Sequence, residues 1–213
     1  MLELSVKDMR DLKKEYSVKL ERLDHRIIYN LIEPESRVLD LGCGDGTLLA
    51  ALKKGKGIKG QGVELDEACI YLCVEKGVSV FHTDIEAGLD GYPDHSFDYV
   101  ILNQSLQEVK GVRHLLEESL RVGKIVIVGF PNFAHWRARF RMMFYGRTPV
   151  TSLLPYEWSE TPNLRFMSIR DFEVFCIQNG YRIISRHHFS NKSQVRLFPN
   201  FFALGSVFVL TAP

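Results

Sequence analysis

The feature that most constrains this chain is RVLDLGCGDGTLLAAL, residues 37–52. An apolar strand (Val38, Leu39, Leu41) runs into glycines at alternate positions, Gly42, Gly44 and Gly46, and then into a helix. Asp40 stands two residues before the first glycine. A strand that ends in such a turn and opens a helix brings backbone N–H groups close to a ligand, because no Cβ blocks the approach. The spacing is G-x-G-x-G, whereas the dinucleotide fingerprint is G-x-G-x-x-G, with its third glycine packing helix against strand. A glycine turn alone is weak evidence, so the rest of the chain has to supply its context.

That context is an alternation of strand and helix, as a parallel sheet requires. The pattern predicts an amphipathic helix near 18–32, with Leu23, Ile27, Ile28 and Leu31 on one face. Strands are expected at 37–41, 60–65, 78–84, 97–103 and 124–130. Helices are expected over 46–54, after Asp66 as N-cap, over 111–122 and after Ser168, with Gly77 and Gly180 as stops. Two closing strands, 181–189 and 204–212, follow one another without a helix between them.

The 213 residues, 46% apolar and 25% charged, suit one α/β domain over 1–213. Within it an N-terminal helical segment is expected at about 1–33 and an inserted segment at about 131–167. A net charge of +1 argues for neither nucleic acid nor a membrane surface. No apolar run approaches a membrane span, and MLELSVKDMRDLKKEY is charged rather than signal-like, so a cytoplasmic location is expected. The four cysteines, Cys43, Cys69, Cys73 and Cys176, form no C-x-x-C pair. They read as reduced thiols, and no metal site is expected.

On this skeleton three carboxylates fall at the carboxyl ends of successive strands, where open α/β sheets bind ligands. Glu64, 24 residues after Asp40, can accept hydrogen bonds from both ribose hydroxyls of an adenosine, with Leu65 beside it. Asp84 can accept from an adenine amine, with Ile85 flanking the ring. Asp40 can brace the turn or meet an amino group. Any one of them could equally be a helix cap or a solvated loop residue. Together with Gly42, Cys43, Gly44, Gly46 and Asn103, they define the candidate cofactor site. The glycine turn resembles motif I of the class I S-adenosylmethionine (SAM) methyltransferases. That resemblance implies a Rossmann-like, seven-stranded, mostly parallel sheet with helices on both faces and an antiparallel last strand. It also implies SAM or S-adenosylhomocysteine (SAH) as cofactor.

The reaction is harder to read than the cofactor. Methyl transfer from a sulfonium is a direct displacement that rests mainly on positioning and desolvation, and a base is needed only for a poor nucleophile. The loop after strand four is NQSLQEV, without the N/D-P-P-Y/F tetrad of exocyclic-amine nucleic-acid methyltransferases. Gln107 occupies the place where many small-molecule methyltransferases carry a histidine, and a glutamine takes no proton. No catalytic residue is assigned. His82, His114, His135, His187 and His188 are the histidines weighed as bases, each more simply read as a surface or partly buried side chain.

Residues 131–167 make a long connection for this fold. Phe133, Trp136, Phe140, Met143 and Phe144 share one face at near-helical spacing, and the segment carries five arginines, Arg137, Arg139 and Arg141 among them, against two glutamates. Three readings stand open: a lid over the cofactor cleft, a surface for a protein partner, and an RNA-binding helix. Gln107, Trp136, Arg137, Arg139 and Arg141 are the candidate lid or partner residues.

The runs GVELDEACI, GVSVFHTDIEAGL, FDYVILNQSLQEV, PNFAHWRARF, GRTPVT, LPYEW, SETPN and DFEVFC carry a more specific resemblance. Across nearly its whole length the chain resembles the MetW family of methionine biosynthesis proteins. The resemblance implies a SAM- or SAH-binding protein acting with homoserine O-acyltransferase, MetX, in acylating homoserine, with end-product sensing as a role for the cofactor. It departs at TPNLRF, where Arg165 stands in place of the family's histidine, so no role of that histidine carries over. The alternatives are a SAM-dependent small-molecule methyltransferase and an RNA methyltransferase.

Overall fold

The computed structural model describes residues 20–87, 89–191 and 193–212. Seven strands form one sheet: β1 (Arg37–Leu41), β2 (Lys59–Glu64), β3 (Ser79–His82), β4 (Phe97–Asn103), β5 (Gly123–Pro131), β6 (Arg182–Phe189) and β7 (Gly205–Thr211). Each lies within two residues of its expected bounds. The helices are α1 (Leu23–Leu31), α2 (Thr47–Lys56), α3 (Glu67–Glu75), α4 (Val112–Val122), α5 (Trp136–Tyr145), α6 (Ile169–Gln178) and the single turn α7 (Pro199–Phe202). The part of the expected N-terminal helix that precedes residue 20 lies outside the described residues.

Strand order is β3-β2-β1-β4-β5-β7-β6. β7 runs antiparallel to both β5 and β6, while the pairs β1–β2, β1–β4, β2–β3 and β4–β5 are parallel. The order reverses between β1 and β4, which places a topological switch point directly above the glycine turn.

Both faces of the sheet are covered, which is why strands such as FDYVILN read as near-continuous apolar runs. On one face Leu39, Leu102, Val126 and Val128 pack against Leu116 and Leu120 of α4 and Phe172 of α6. On the other, Val38, Ile101 and Ile127 meet Ile28 of α1 and Leu48, Leu49 and Leu52 of α2. Local signals set the ends. Asp66 Oδ1 accepts from Ala68 N and Cys69 N at the start of α3. Ser168 and Asp171 form a reciprocal capping box on α6, worth roughly 1 kcal/mol.

β3 stops at His82 rather than at 84, so Asp84 lies in the following loop. There its Oδ1 accepts from Glu86 N at 2.8 Å, across the start of a 3₁₀ turn over Ile85–Ala87. β2 likewise ends at Glu64, which leaves Leu65 in the loop and largely exposed.

Candidate functional site

The carboxyl ends of β1, β2 and β4 open into a cleft of about 640 Å³. The turn from β1 forms its floor. Gly42 N and Cys43 N donate to Val63 O of β2, at 2.9 and 3.1 Å. Gly44 N donates to Glu64 Oε2 at 2.7 Å. Gly44 has φ +55° with open space where a Cβ would stand, so this position faces the cleft with bare backbone. The Gly42 side is closed by the post-β4 loop, since a Cβ there would sit 2.8 Å from Ser105 Cβ. Asp45 is clamped by Lys76 Nζ at 2.5 Å and Thr47 Oγ1 at 2.6 Å. Burial opposes ionisation of Asp45, but these partners prevail and hold its carboxyl down to about 2.

Of the residues expected to hold a cofactor, Asp40, Gly42, Cys43, Gly44, Glu64, Leu65, Asp84, Ile85 and Asn103 line this cleft. Gly46 does not. It caps α2 with φ +71°, and a Cβ there would fall 2.8 Å from Cys73 Sγ, so its glycine serves packing between the turn and α3. Cys43 lies over Gly62 of β2 and stands 3.9 Å from Cys73, sulfur to sulfur. Burial raises both thiols above the ordinary cysteine range. Among the described residues no cluster of three or more histidine, cysteine, aspartate or glutamate side chains could hold a metal ion.

Among the described residues, seven carboxylates line the cleft (Asp40, Asp45, Glu64, Asp66, Asp84, Glu86, Glu108), against the one guanidinium of Arg22. Asp40 is almost wholly buried, and burial, reinforced by the charge of Glu64, pushes its carboxyl up to about 7. Such a site favours a cationic ligand, whose charge would offset the repulsion among these groups.

The post-β4 loop adds a wall of unmatched polar atoms. Gln104 has φ +64°, a left-handed conformation that costs a non-glycine residue about 1–3 kcal/mol. Asn103 Oδ1, Gln104 Nε2 and Ser105 Oγ are buried without hydrogen-bond partners among the described residues, and all three residues line the cleft. Each such atom costs about 1–3 kcal/mol when left unmatched. Asn103 Oδ1 faces Gly129 of β5, where a Cβ would stand 2.1 Å from it, so these atoms lie behind the cleft wall and not on its surface.

Sequence reasoning passed over a contribution from α1. Asp24 is buried, accepts from Asn103 Nδ2 at 3.0 Å and pairs with Arg22 at 2.5 Å. Burial alone would raise the Asp24 carboxyl, but Arg22 and Asn103 together hold it low. His25 lines the cleft, and burial lowers its imidazole to about 4, so it is neutral at pH 7. The available signal was the run Arg22-Asp24-His25 at the head of a helix whose next residues are apolar.

The inserted segment divides in two. Its return limb lines the cleft through Tyr156 and Pro162. That limb is fastened to the post-β4 loop by Leu164 N and Arg165 N, both donating to Gln107 O at 2.9 Å, and by Arg165 Nη2 donating to Lys110 O at 2.8 Å. Arg165 therefore acts as a clasp between loops. Gln107 is buried, its amide donates to Gln104 O, and it takes no part in the cleft lining. Its side chain thus packs within the post-β4 loop, while its carbonyl holds the return limb of the inserted segment. α5 does not line the cleft, whereas the return limb of the same inserted segment does. Trp136 is half-buried, while Arg137 and Arg139 are exposed.

The sheet order and the glycine turn at its switch point define the class I SAM-dependent methyltransferase fold. A SAM-dependent methyltransferase from Archaeoglobus fulgidus superimposes with a TM-score of 0.66, at 18% identity, covering 93% of each chain. Residues 22–210 match the family model described as methionine biosynthesis protein MetW, and the chain belongs to that family. It is 39% identical over 158 residues to the bifunctional methionine biosynthesis protein MetXA/MetW of Rhodopirellula baltica. That match takes in 70% of this chain but 25% of the relative, so the chain corresponds to about a quarter of that protein. A demethylmenaquinone methyltransferase of Bacillus licheniformis is 25% identical over 170 residues, covering 71% of this chain and 73% of that one.

Proposed function

We propose that the chain binds SAM or SAH in the acidic cleft and supports homoserine acylation by a MetX-like homoserine O-acyltransferase in methionine biosynthesis. The observation that carries the partnership is the Rhodopirellula relative, in which a chain like this one is named together with MetXA in a single polypeptide. Tethering two modules raises their effective concentration, an arrangement suited to proteins that otherwise meet by diffusion. The cofactor reading rests on the cleft itself: bare backbone at Gly44, and carboxylates for the ribose and adenine edges. When bound, SAM supplies an electrophilic methyl group, and SAH is what remains after that group leaves. In this reading the chain's residues hold the ligand and orient it, and its occupancy reports methionine supply to the partner.

The test is copurification of the full chain with the homoserine O-acyltransferase of the same genome, with and without SAM, alongside an acylation assay. A complex and a SAM-dependent change in acylation support the reading. No complex and no effect on acylation would sink it.

A second reading, a small-molecule methyltransferase, is favoured by the likeness to demethylmenaquinone methyltransferase and by His25 at the cleft wall. A neutral imidazole can accept a proton, but one lowered to about 4 is a weak base at pH 7. That difference places the binding role first.

A further inference from the structure

We propose that α5, together with the α7 turn before β7, is the docking surface for the acyltransferase, whose matching groove is apolar at its centre and acidic at its rim. This rests on the partnership proposed above and says where the partner sits. α5 buries only Ala138 fully. Trp136, Phe140 and Phe144, four residues apart, form one aromatic row with ring centroids 6.1 and 5.5 Å apart. Beside them Met143 is 76% exposed. A helix that turns one small residue inward and its aromatics outward gains little from its own fold, and contiguous exposed apolar surface of this kind marks an interaction site.

The row begins in a second cavity, of about 450 Å³, lined by Trp136 and Arg137 on one side and Asn191 and Phe202 on the other. Arg139 joins the two sides. Its Nη2 donates to Asn200 O at 3.4 Å, and its guanidinium lies 5.6 Å from the Phe201 ring. On the same turn Phe198 has φ +46° and is 76% exposed. Its carbonyl caps the turn by accepting from Phe201 N and Phe202 N, but its bulky side chain, held in the left-handed region, is shown to solvent.

The chemistry of the surface selects its occupant. α5 contains arginines and no acidic residue, so a complementary rim is acidic. Aromatic residues, methionine and arginine together are the composition of protein interface centres. RNA would require a wider basic field than one helix on a chain of net charge +1 provides.

The experiment uses the full chain, the acyltransferase of the same genome, and two variants, M143D/F144D and F198G, read by calorimetry for partner and for SAM. The double variant is expected to weaken partner binding about 30-fold or more, the loss expected at an interface anchor. F198G is expected to weaken it several-fold while raising the Tm, because glycine relieves the backbone strain. SAM affinity should be unchanged in both variants. Wild-type partner affinity in both would overturn the surface assignment and leave the proposed function standing. Failure of the unaltered chain to bind would overturn this occupant and, with no effect on acylation, the proposed function as well. Loss only of self-association, or only of binding to a short RNA, would assign the face to a different partner and overturn the proposal.

Discussion

Glu64 holds the glycine turn by its backbone: Oε2 accepts from Gly44 N at 2.7 Å, while Oε1 accepts from Leu65 N at 2.8 Å and Asp66 N at 3.0 Å. Three N–H donors fill three of the carboxylate's roughly four acceptor positions and leave about one free. The residue therefore organises the turn and keeps room for about one ribose hydroxyl, not the two that its position in the sequence suggests. Glu64→Ala removes both functions. Hydrogen bonds to a charged acceptor contribute about 1.5–3 kcal/mol each, so SAM affinity is expected to fall at least ~10-fold. Glu64→Gln, which keeps an acceptor oxygen, should lose less. Calorimetry giving unchanged affinity for the alanine variant would move the cofactor site elsewhere.

Asp40 makes that affinity depend on pH. Its carboxyl is pushed up to about 7 by burial and by the charge of Glu64. The ionised form attracts the sulfonium and ammonium of SAM, so affinity should rise between pH 6 and pH 8. Asp40→Asn should flatten the profile, and SAH, without the sulfonium charge, should respond less. Stability has the opposite slope. A carboxyl that titrates near 3.8 when unfolded and near 7 when folded binds more protons in the folded state across that window. The unliganded protein therefore loses stability as pH rises from about 4 to about 7. Thermal melts of Asp40→Asn should show a higher Tm than the parent at pH 8 and no such gain near pH 4. Parallel pH profiles for the two proteins would exclude the assignment.

Two glycines of the turn are expected to fail differently. Gly46→Ala meets Cys73 Sγ at 2.8 Å and carries φ +71°, so it suffers both a clash and a left-handed backbone. Gly44→Ala carries only the backbone penalty of roughly 1–2 kcal/mol, since nothing lies within 4 Å. Urea denaturation should rank Gly46→Ala as clearly the less stable. SAM binding corrected for folding should suffer more in Gly44→Ala, because that Cβ enters the cleft. The reverse ranking would contradict the division of these glycines into packing and binding positions.

The sheet was legible because each strand here is bounded by a strong local signal: glycine turns at 42–46 and 77, caps at Asp66 and Ser168, and runs such as KIVIVGF that stay apolar on both faces. Asp40 and Glu64 were legible for the same reason, since fixing a strand's end fixes what stands there, whereas Asp84 falls in the loop beyond β3. Asp24, Arg22 and His25 were not. A helix pattern reports which side is apolar, and says nothing about a polar first turn that reaches 79 residues forward in the chain to Asn103. The spacing over 133–144 predicts α5 as a helix but not its destination, because an apolar stripe looks alike whether it packs inside or meets a partner. Gln107 was singled out for its side chain, yet its carbonyl, gathering Leu164 N and Arg165 N, is the more consequential group. Backbone roles of that kind have no residue-type signature.

The Asp24–Asn103 contact is where α1 meets the cleft, and it gives the last prediction. Asp24→Ala strands Asn103 Nδ2 in a buried position and releases Arg22, whose side chain is 49% exposed and can rehydrate. The loss is therefore set mainly by the orphaned amide, about 1–3 kcal/mol, and falls short of what a fully buried ion pair would cost. Asp24→Asn retains an acceptor for Asn103 and should lose less. Because the Asp24 carboxyl is held below its ordinary value, its contribution is present near neutrality and is lost on acidification through the folded-state pKa. The deficit of Asp24→Ala should therefore shrink as the pH is lowered. A double-mutant cycle with Asn103→Ala isolates the pair. A coupling near zero in urea denaturation at pH 7 would mean that α1 is held by its apolar face alone.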